Sequence, residues 1–210
     1  MVKVKICGIM TVEHAEAAVH AGADAIGFIF AESRRRISPE DANKIGKVIP
    51  ASVLKVGVFV DADQEEINDT VKTAALDYVQ LHGTETQEFI EALQVPAYKA
   101  VSIKKETDLA GIQGYPGNLI LLDSGHGAGN GGNGTAFDWN YLNHRNIPQK
   151  IILAGGLNIE NVSRAIKEVN PFMVDVSSGV ETNGTKDVKK ITEFIKKAKE
   201  SSGNIREEIK

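Results

Sequence analysis

A single cysteine stands among 210 residues, and it closes a strand-like run, V-K-V-K-I-C at 2–7, immediately before a glycine. An aspartate closes another such run, N-L-I-L-L-D at 118–123. A thiolate removes protons and a neutral carboxylic acid delivers them, so Cys7 and Asp123 could together carry an isomerisation by proton transfer. Other polar residues fall at comparable points. His82 ends D-Y-V-Q-L-H at 77–82, Asp61 follows V-L-K-V-G-V-F at 53–59, and Asp175 interrupts F-M-V-D-V-S at 172–177. Each also has a structural reading. A lone cysteine is commonly a small buried hydrophobe, His82 can be a satisfied structural histidine, and Asp123 can simply cap the loop that follows it.

The glycines add a second kind of chemistry. Gly155 and Gly156 lie in A-G-G-L-N at 154–158, and Ser177, Ser178 and Gly179 open S-S-G-V-E at 177–181. Glycine lets backbone N–H groups approach an anion closely. A third run, G-N-G-G-N-G at 129–134, lies in a long loop of the kind that is often functional. Tight left-handed turns without a ligand are the alternative reading of all three. The Arg34-Arg35-Arg36 cluster reads either as a solvated face or as a source of one guanidinium turned toward a ligand anion.

What would gather such scattered residues is the pattern between them. Short β-branched runs alternate with helix-periodic, charged segments along the whole chain. The strand-like runs are 2–7, 25–30, 53–59, 77–82, 97–102, 118–123, 150–154 and 172–177. Helices are predicted over 11–22 with Thr11 as cap, 38–49 with Ser38 as cap and Pro39 at the first helical position, about 63–74, and about 84–93. The second half predicts a weaker helix near 105–112, a short one after Phe137, one over 158–169, and a lysine-rich one over 186–199. Alternation of this kind implies parallel strands joined by crossovers. Eight units of roughly 25 residues imply a closed (β/α)8 TIM barrel. An open doubly wound sheet is the alternative, and it lacks support from any G-x-G-x-x-G turn after a strand.

In a barrel, the C-terminal ends of the strands form one rim where the active site lies, and the loops after strands 7 and 8 commonly hold phosphate. Cys7, His82, Asp123, Gly155, Gly156 and Ser177–Gly179 all map to that rim. The expected ligand is a small phosphorylated molecule. The expected organisation is one barrel domain over residues 1–200 and a polar tail over 201–210.

Composition narrows the classes further. Net charge is −4 and the chain is 42% hydrophobic and 25% charged, with a sequence pI near 5.8. That gives no reason to expect a nucleic-acid partner or a membrane surface. One cysteine cannot form an internal disulfide, and no apolar window of about 18 residues is present, so a cytoplasmic location is expected. The five histidines are scattered, without H-x-x-x-H or C-x-x-C spacing, and no Walker A loop occurs; neither a metal nor a cofactor is expected.

The same segments closely resemble the phosphoribosylanthranilate isomerases of tryptophan biosynthesis. The resemblance is carried by V-K-I-C-G-I (4–9), A-D-A-I-G-F-I-F (23–30), S-R-R-R-I-S-P (33–39), V-Q-L-H-G (79–83), L-L-D (121–123), G-G-N-G-T-A-F-D-W (131–139), A-G-G-L-N (154–158) and V-D-V-S-S-G-V-E (174–181). It implies a monomeric or homodimeric barrel that catalyses an Amadori rearrangement, with Cys7 as general base and Asp123 as general acid. It further implies Arg35 on the anthranilate carboxylate, Asp175 in contact with the ligand, and a phosphate cradle in the loops carrying Gly156 and Ser177–Gly179. One departure is Asn133, which stands where the family's loop usually has threonine. Its expected consequence is altered loop mobility without loss of chemistry.

The implied chemistry asks for a neutral Asp123 and an ionised Cys7, against reference values of about 3.9 and 8.5. Lys5, two residues before Cys7, shares its strand face and is a candidate to lower the thiol pKa. Two rivals remain. One is another sugar-phosphate barrel enzyme, for which Lys5 or Lys55 would have to serve as an inward base. The other is a phosphate-binding barrel without catalysis.

Overall fold

A computed structural model describes residues 1–125, 136–143 and 145–204. Eight parallel strands close on themselves in chain order: β1 (Lys3–Cys7), β2 (Ala25–Ile29), β3 (Leu54–Phe59), β4 (Tyr78–Leu81), β5 (Ala97–Ser102), β6 (Leu119–Asp123), β7 (Lys150–Leu153) and β8 (Met173–Val176). The seam is the pairing of β1 with β8, in which Lys5 lies opposite Asp175. This is the predicted (β/α)8 barrel.

Both faces of the strands are buried, which explains their near-continuous apolar runs. Alternate residues turn to opposite sides. Val4, Ile6, Ile120, Leu122, Leu153, Val174 and Val176 join the large core between barrel and helices. Ala25, Val56, Tyr98, Leu121, Ile152 and Met173 fill the barrel interior. Lys5, Gln80 and Asp175 sit at the inward positions between those outward neighbours, so a buried polar layer lies above the apolar plug.

The helices are α1 (Val12–His20), α2 (Pro39–Gly46), α3 (Gln64–Ala74), α4 (Gln87–Glu91), α5 (Val162–Val169) and α6 (Val188–Asn204). The expected caps are made: Thr11 Oγ1 accepts from the His14 N–H at 3.2 Å and Ser38 Oγ from the Asp41 N–H at 3.1 Å. Four boundaries differ from the sequence reading, each for a local reason. α4 starts at Gln87 because Thr84 and Glu85 are committed to tertiary contacts: Thr84 donates twice to Asp61, and Glu85 pairs with Lys99 at 2.7 Å. α5 starts at Val162 because the Asn158 side chain first accepts from the Glu160 and Asn161 N–H groups, at 2.8 and 3.1 Å. The weak helix near 105–112 is two 3-10 turns, Glu106–Leu109 and Ile112–Gly114, separated by Gly111 at φ +84. The short helix after Phe137 is likewise a 3-10 turn, Trp139–Leu142.

Two features were not anticipated. Between β8 and α6 a short antiparallel hairpin forms, β9 (Glu181–Thr182) with β10 (Thr185–Lys186). It takes Lys186 out of the last helix and, as described below, to the rim. At the other end α6 continues through Asn204, with Ser201 and Ser202 buried and Ser201 Oγ 2.9 Å from Ser163 Oγ. Lys199 in α6 also donates to the Val2 carbonyl at 3.3 Å and pairs with Asp24 at 2.5 Å, fastening the helix to the starts of β1 and β2.

Candidate active site

The C-terminal ends of the strands surround a cavity of about 700 Å³, within the size range of small-molecule sites. Cys7, Arg35, His82, Asp123, Gly155, Gly156, Asp175, Ser177 and Ser178 all line it, and Gln80 and Ser102 add further polar groups. Residues up to 171 positions apart, Cys7 and Ser178, are thus brought to one wall by the closure of the barrel. Among the described residues no helix is long and apolar enough to cross a membrane, and no group of three or more His, Cys, Asp or Glu could hold a metal ion.

Each side chain is placed by a specific local device. Cys7 is the last residue of β1 and is buried. Gly27 on β2 makes room for it: a Cβ there would come within 2.8 Å of the Cys7 sulfur and 3.1 Å of Lys5 Cε. Gly8, at φ +77, turns the chain away and leaves space for the Arg35 stem. Asp123 ends β6, buried, with Oδ1 accepting from the Gly125 N–H at 3.1 Å. The β7 loop is set by Gly155 and Gly156, both at positive φ, and by Asn161, which donates to the Gly156 carbonyl at 2.9 Å. The β8 loop is tied to β1 by Ser177 Oγ, which donates to the Cys7 carbonyl at 3.1 Å.

Gly179 and Asp61 stand elsewhere. Gly179 lies off the cavity wall, where any Cβ would collide with the Leu157 carbonyl oxygen; its lack of a side chain lets the β7 and β8 loops touch. Asp61 accepts from Thr84 and lines a smaller neighbouring cavity together with Arg36. The stretch 129–134, with Asn133, lies outside the described residues.

The model of the family described as N-(5'phosphoribosyl)anthranilate (PRA) isomerase matches residues 4–197 of the chain. The chain belongs to the phosphoribosylanthranilate isomerase family. The reaction of this family is an Amadori rearrangement. An N-(5'-phosphoribosyl)anthranilate isomerase of Bacillus cereus (strain AH820) is 50% identical over 202 residues, covering 95% of this chain and 99% of the relative. A crystal structure of phosphoribosyl anthranilate isomerase from Thermotoga maritima superposes with a TM-score of 0.87 at 44% identity, covering 95% of this chain and all of that one. A second crystal structure, of the isomerase in complex with reduced 1-(o-carboxyphenylamino)-1-deoxyribulose 5-phosphate, gives a TM-score of 0.86 at 44% identity, with the same coverage of both chains.

Within the family frame, the three arginines separate clearly. Arg36 turns to the neighbouring cavity, whereas Arg34 and Arg35 line the main one. The Arg34 side chain is 54% exposed and that of Arg35 15%. Arg35 is therefore the guanidinium built into the wall. It makes a fork with Glu181 of β9, Nε to Oε1 at 2.6 Å and an Nη to Oε2 at 2.9 Å. Lys186 of β10 pairs with the same carboxylate at 2.7 Å and donates to the Ser177 carbonyl at 3.0 Å. Burial pushes the Glu181 carboxyl up, but Arg35 and Lys186 outweigh it and hold the group below the usual carboxylate range. Burial lowers the Lys186 ammonium from its ordinary value despite Glu181.

The hairpin residues Glu181 and Lys186 are the part of the site that pattern reading missed. Glu181 was visible as the last letter of a quoted motif, but nothing in its spacing tied it to Arg35. Gln80 had a better signal, a lone amide inside V-Q-L.

Beneath Cys7, Lys5 is wholly buried. Its Nζ donates to Gln80 Oε1 at 2.9 Å and to Asp175 Oδ2 at 3.0 Å, and the Tyr98 hydroxyl donates to the same Gln80 oxygen at 3.1 Å. Burial works against the Lys5 charge, yet Asp175 wins and raises its pKa above the ordinary lysine value. For Cys7 the balance goes the other way: burial raises the thiol, Lys5 and Lys186 only partly oppose it, and Asp175 adds to the rise. The sequence-based expectation of a downward pull from Lys5 is correct in sign, but burial dominates the net shift.

Proposed function

We propose that the chain converts N-(5-phosphoribosyl)anthranilate to 1-(2-carboxyphenylamino)-1-deoxyribulose 5-phosphate, with Asp123 as general acid and Cys7 as general base. The observation that carries this assignment is the meeting of the sole cysteine and the β6 aspartate on one cavity wall. Asp123 protonates the ribose ring oxygen as the C1′–O bond breaks, and the nitrogen lone pair forms a Schiff base. The Cys7 thiolate then removes the C2′ proton to give an enolamine. Protonation at C1′ and loss of the C2′ hydroxyl proton complete the ketone, so no proton or electron is gained overall.

Around this pair, Arg35 receives the anthranilate carboxylate, and the N–H groups of the Gly155–Gly156 and Ser177–Ser178 loops receive the phosphate, with Gly179 holding the second loop against Leu157. Asp175 and His82 contact the sugar part. The small-molecule partner is this phosphorylated substrate. The protein acts as a monomer or homodimer, a reading supported by the Thermotoga maritima relative, a dimeric enzyme also studied as generated monomers.

The decisive experiment supplies freshly generated phosphoribosylanthranilate, follows the loss of anthranilate fluorescence, and confirms the product by mass. Saturable turnover is expected. A folded protein that binds the substrate without turning it over overturns the proposal in favour of a non-catalytic phosphate-binding barrel.

Two further outcomes are expected. Arg35→Lys removes a planar fork and raises KM by about 10- to 100-fold, the scale of one or two charge-assisted hydrogen bonds, while Arg34→Ala changes it far less. Steady-state kinetics on both variants decide which arginine is used; the reverse order of effects removes Arg35 from the carboxylate site. Because burial holds the Cys7 thiol above its ordinary value, the ionised base is a minority at neutral pH and grows as pH rises. In Asp123→Asn, where the acid no longer titrates, the residual kcat/KM should therefore climb between pH 7 and 9. A fall across that range argues against a thiolate base.

A further inference from the structure

The mechanism above uses Cys7 and leaves its buried neighbour unexplained. Lys5 has no exposed side-chain surface and lies in the middle of a barrel whose other interior residues are largely apolar. An ammonium there is costly unless it is paired and its protons are satisfied. Two hydrogen bonds are made, to Asp175 and Gln80. A purely structural ion pair could sit at any level of the barrel. This one sits one inward step below the thiol, on the same strand face, and both side chains share the space left by the missing side chain of Gly27.

We propose that Lys5 is a positioning residue for Cys7: its ammonium, anchored by Asp175 and Gln80, is the counter-charge against which the thiolate forms. The proposal rests on the reading of Cys7 as general base. The groups that face the thiol can be named strand by strand. β1 contributes Lys5, β8 contributes Asp175, and the hairpin contributes Lys186. β2 offers only Gly27, with the Arg35 stem beyond Gly8. Asp123 lines the same cavity from β6, and the Tyr98 hydroxyl from β5 lies on the far side of Gln80. Two cations thus face the sulfur. Lys186 is shared with Glu181 and Ser177 on the rim. Lys5 is the larger influence.

Asp175 then has a second task besides contact with the ligand. It offsets part of what burial costs the Lys5 charge. It also draws the ammonium toward β8 and repels a thiolate, so it sets how much of the Lys5 charge the sulfur feels. Lys5 and Asp175 therefore act on Cys7 with opposite sign.

Cys7 is the only cysteine in the chain, so alkylation by iodoacetamide reads this thiol alone, without substrate. The rate is measured against pH for wild type, Lys5→Met and Asp175→Asn, each checked for a wild-type circular-dichroism spectrum. Lys5→Met is expected to move the alkylation profile up by at least about one pH unit, which is roughly a tenfold slower reaction at pH 8. Asp175→Asn is expected to move it down. A merely structural role predicts something else: a loosened barrel would admit water to the thiol and shift both profiles downward. An unchanged or downward profile in folded Lys5→Met overturns the proposal. Should Lys5→Met not fold, Lys5→Gln, which keeps a hydrogen-bonding end without the charge, takes its place with the same expected rise, and an unchanged or downward profile overturns the proposal. Turnover by Cys7→Ala separates the two readings: if that variant is active while the alkylation shifts appear as expected, the general-base assignment falls and the Lys5–Cys7 coupling stands.

Discussion

Cys7→Ala and Asp123→Asn should each lower kcat by about 10²- to 10⁴-fold, the range that a positioned proton-transfer group supplies. The two residues sit on one wall of the cavity but at the ends of different strands. In the proposed roles substrate affinity rests on Arg35 and the glycine loops, so KM should move much less than kcat. The double variant should be little worse than either single one, because residues that act in one sequence of proton transfers are not additive. Steady-state kinetics with thermal melts check all three points. Near-normal turnover in either variant would take that residue out of the mechanism.

The largest effect on stability is expected away from the chemistry. Lys99 and Glu85 pair at 2.7 Å with side chains 4% and 3% exposed. Glu85 also accepts from the Asp61 N–H at 3.0 Å and the Gly83 N–H at 2.9 Å, so one carboxylate fastens the loops after β3 and β4, next to His82. Lys99→Met leaves that carboxylate buried without its cation. Breaking a buried pair in this way costs about 3–5 kcal/mol. For a chain of this size the melting temperature should fall by roughly 6–20 °C. The exposed Lys44–Asp41 pair at 2.8 Å is the control. Lys44→Ala should leave the melting temperature close to that of the wild type. Equal losses in the two variants would show that the Lys99 pair contributes no more than a surface contact.

Much of this was legible in the letters. The alternation of short apolar runs with capped, charged segments specified eight units, and it did so because strands buried on both faces need no polar alternation. Thr11 and Ser38 named their helices because an N-cap is local chemistry. Cys7 and Asp123 stood out because a polar residue at the end of an apolar run has few reasons to be there, and the fold family's rim supplied one. The α4 boundary was not legible, because Thr84 and Glu85 are captured by Asp61 and Lys99 from other strands. The hairpin was missed for a related reason. Glu181 read as the end of a glycine-containing loop and Lys186 as the start of a charged helix, and only the position of Arg35, 146 residues before Glu181, shows why they form a turn at the rim. Gly179 had a phosphate-loop pattern, but its lack of a side chain serves contact with Leu157. Glycine patterns report where backbone comes close, and the partner may be ligand or loop in equal measure.

The β1–β8 seam has a consequence for how this protein comes into being. Lys5 meets Asp175, and Ser177 meets Cys7, across 170 residues of chain. Contacts of such separation form only after a long loop has been closed, and they delay folding accordingly. A nascent chain that has not yet made β8 carries its cysteine without the carboxylate, the hairpin or the second wall of the cavity. The reactive environment of the thiol is therefore assembled last, in the same event that seals the barrel, and a partly made chain exposes a cysteine of ordinary character.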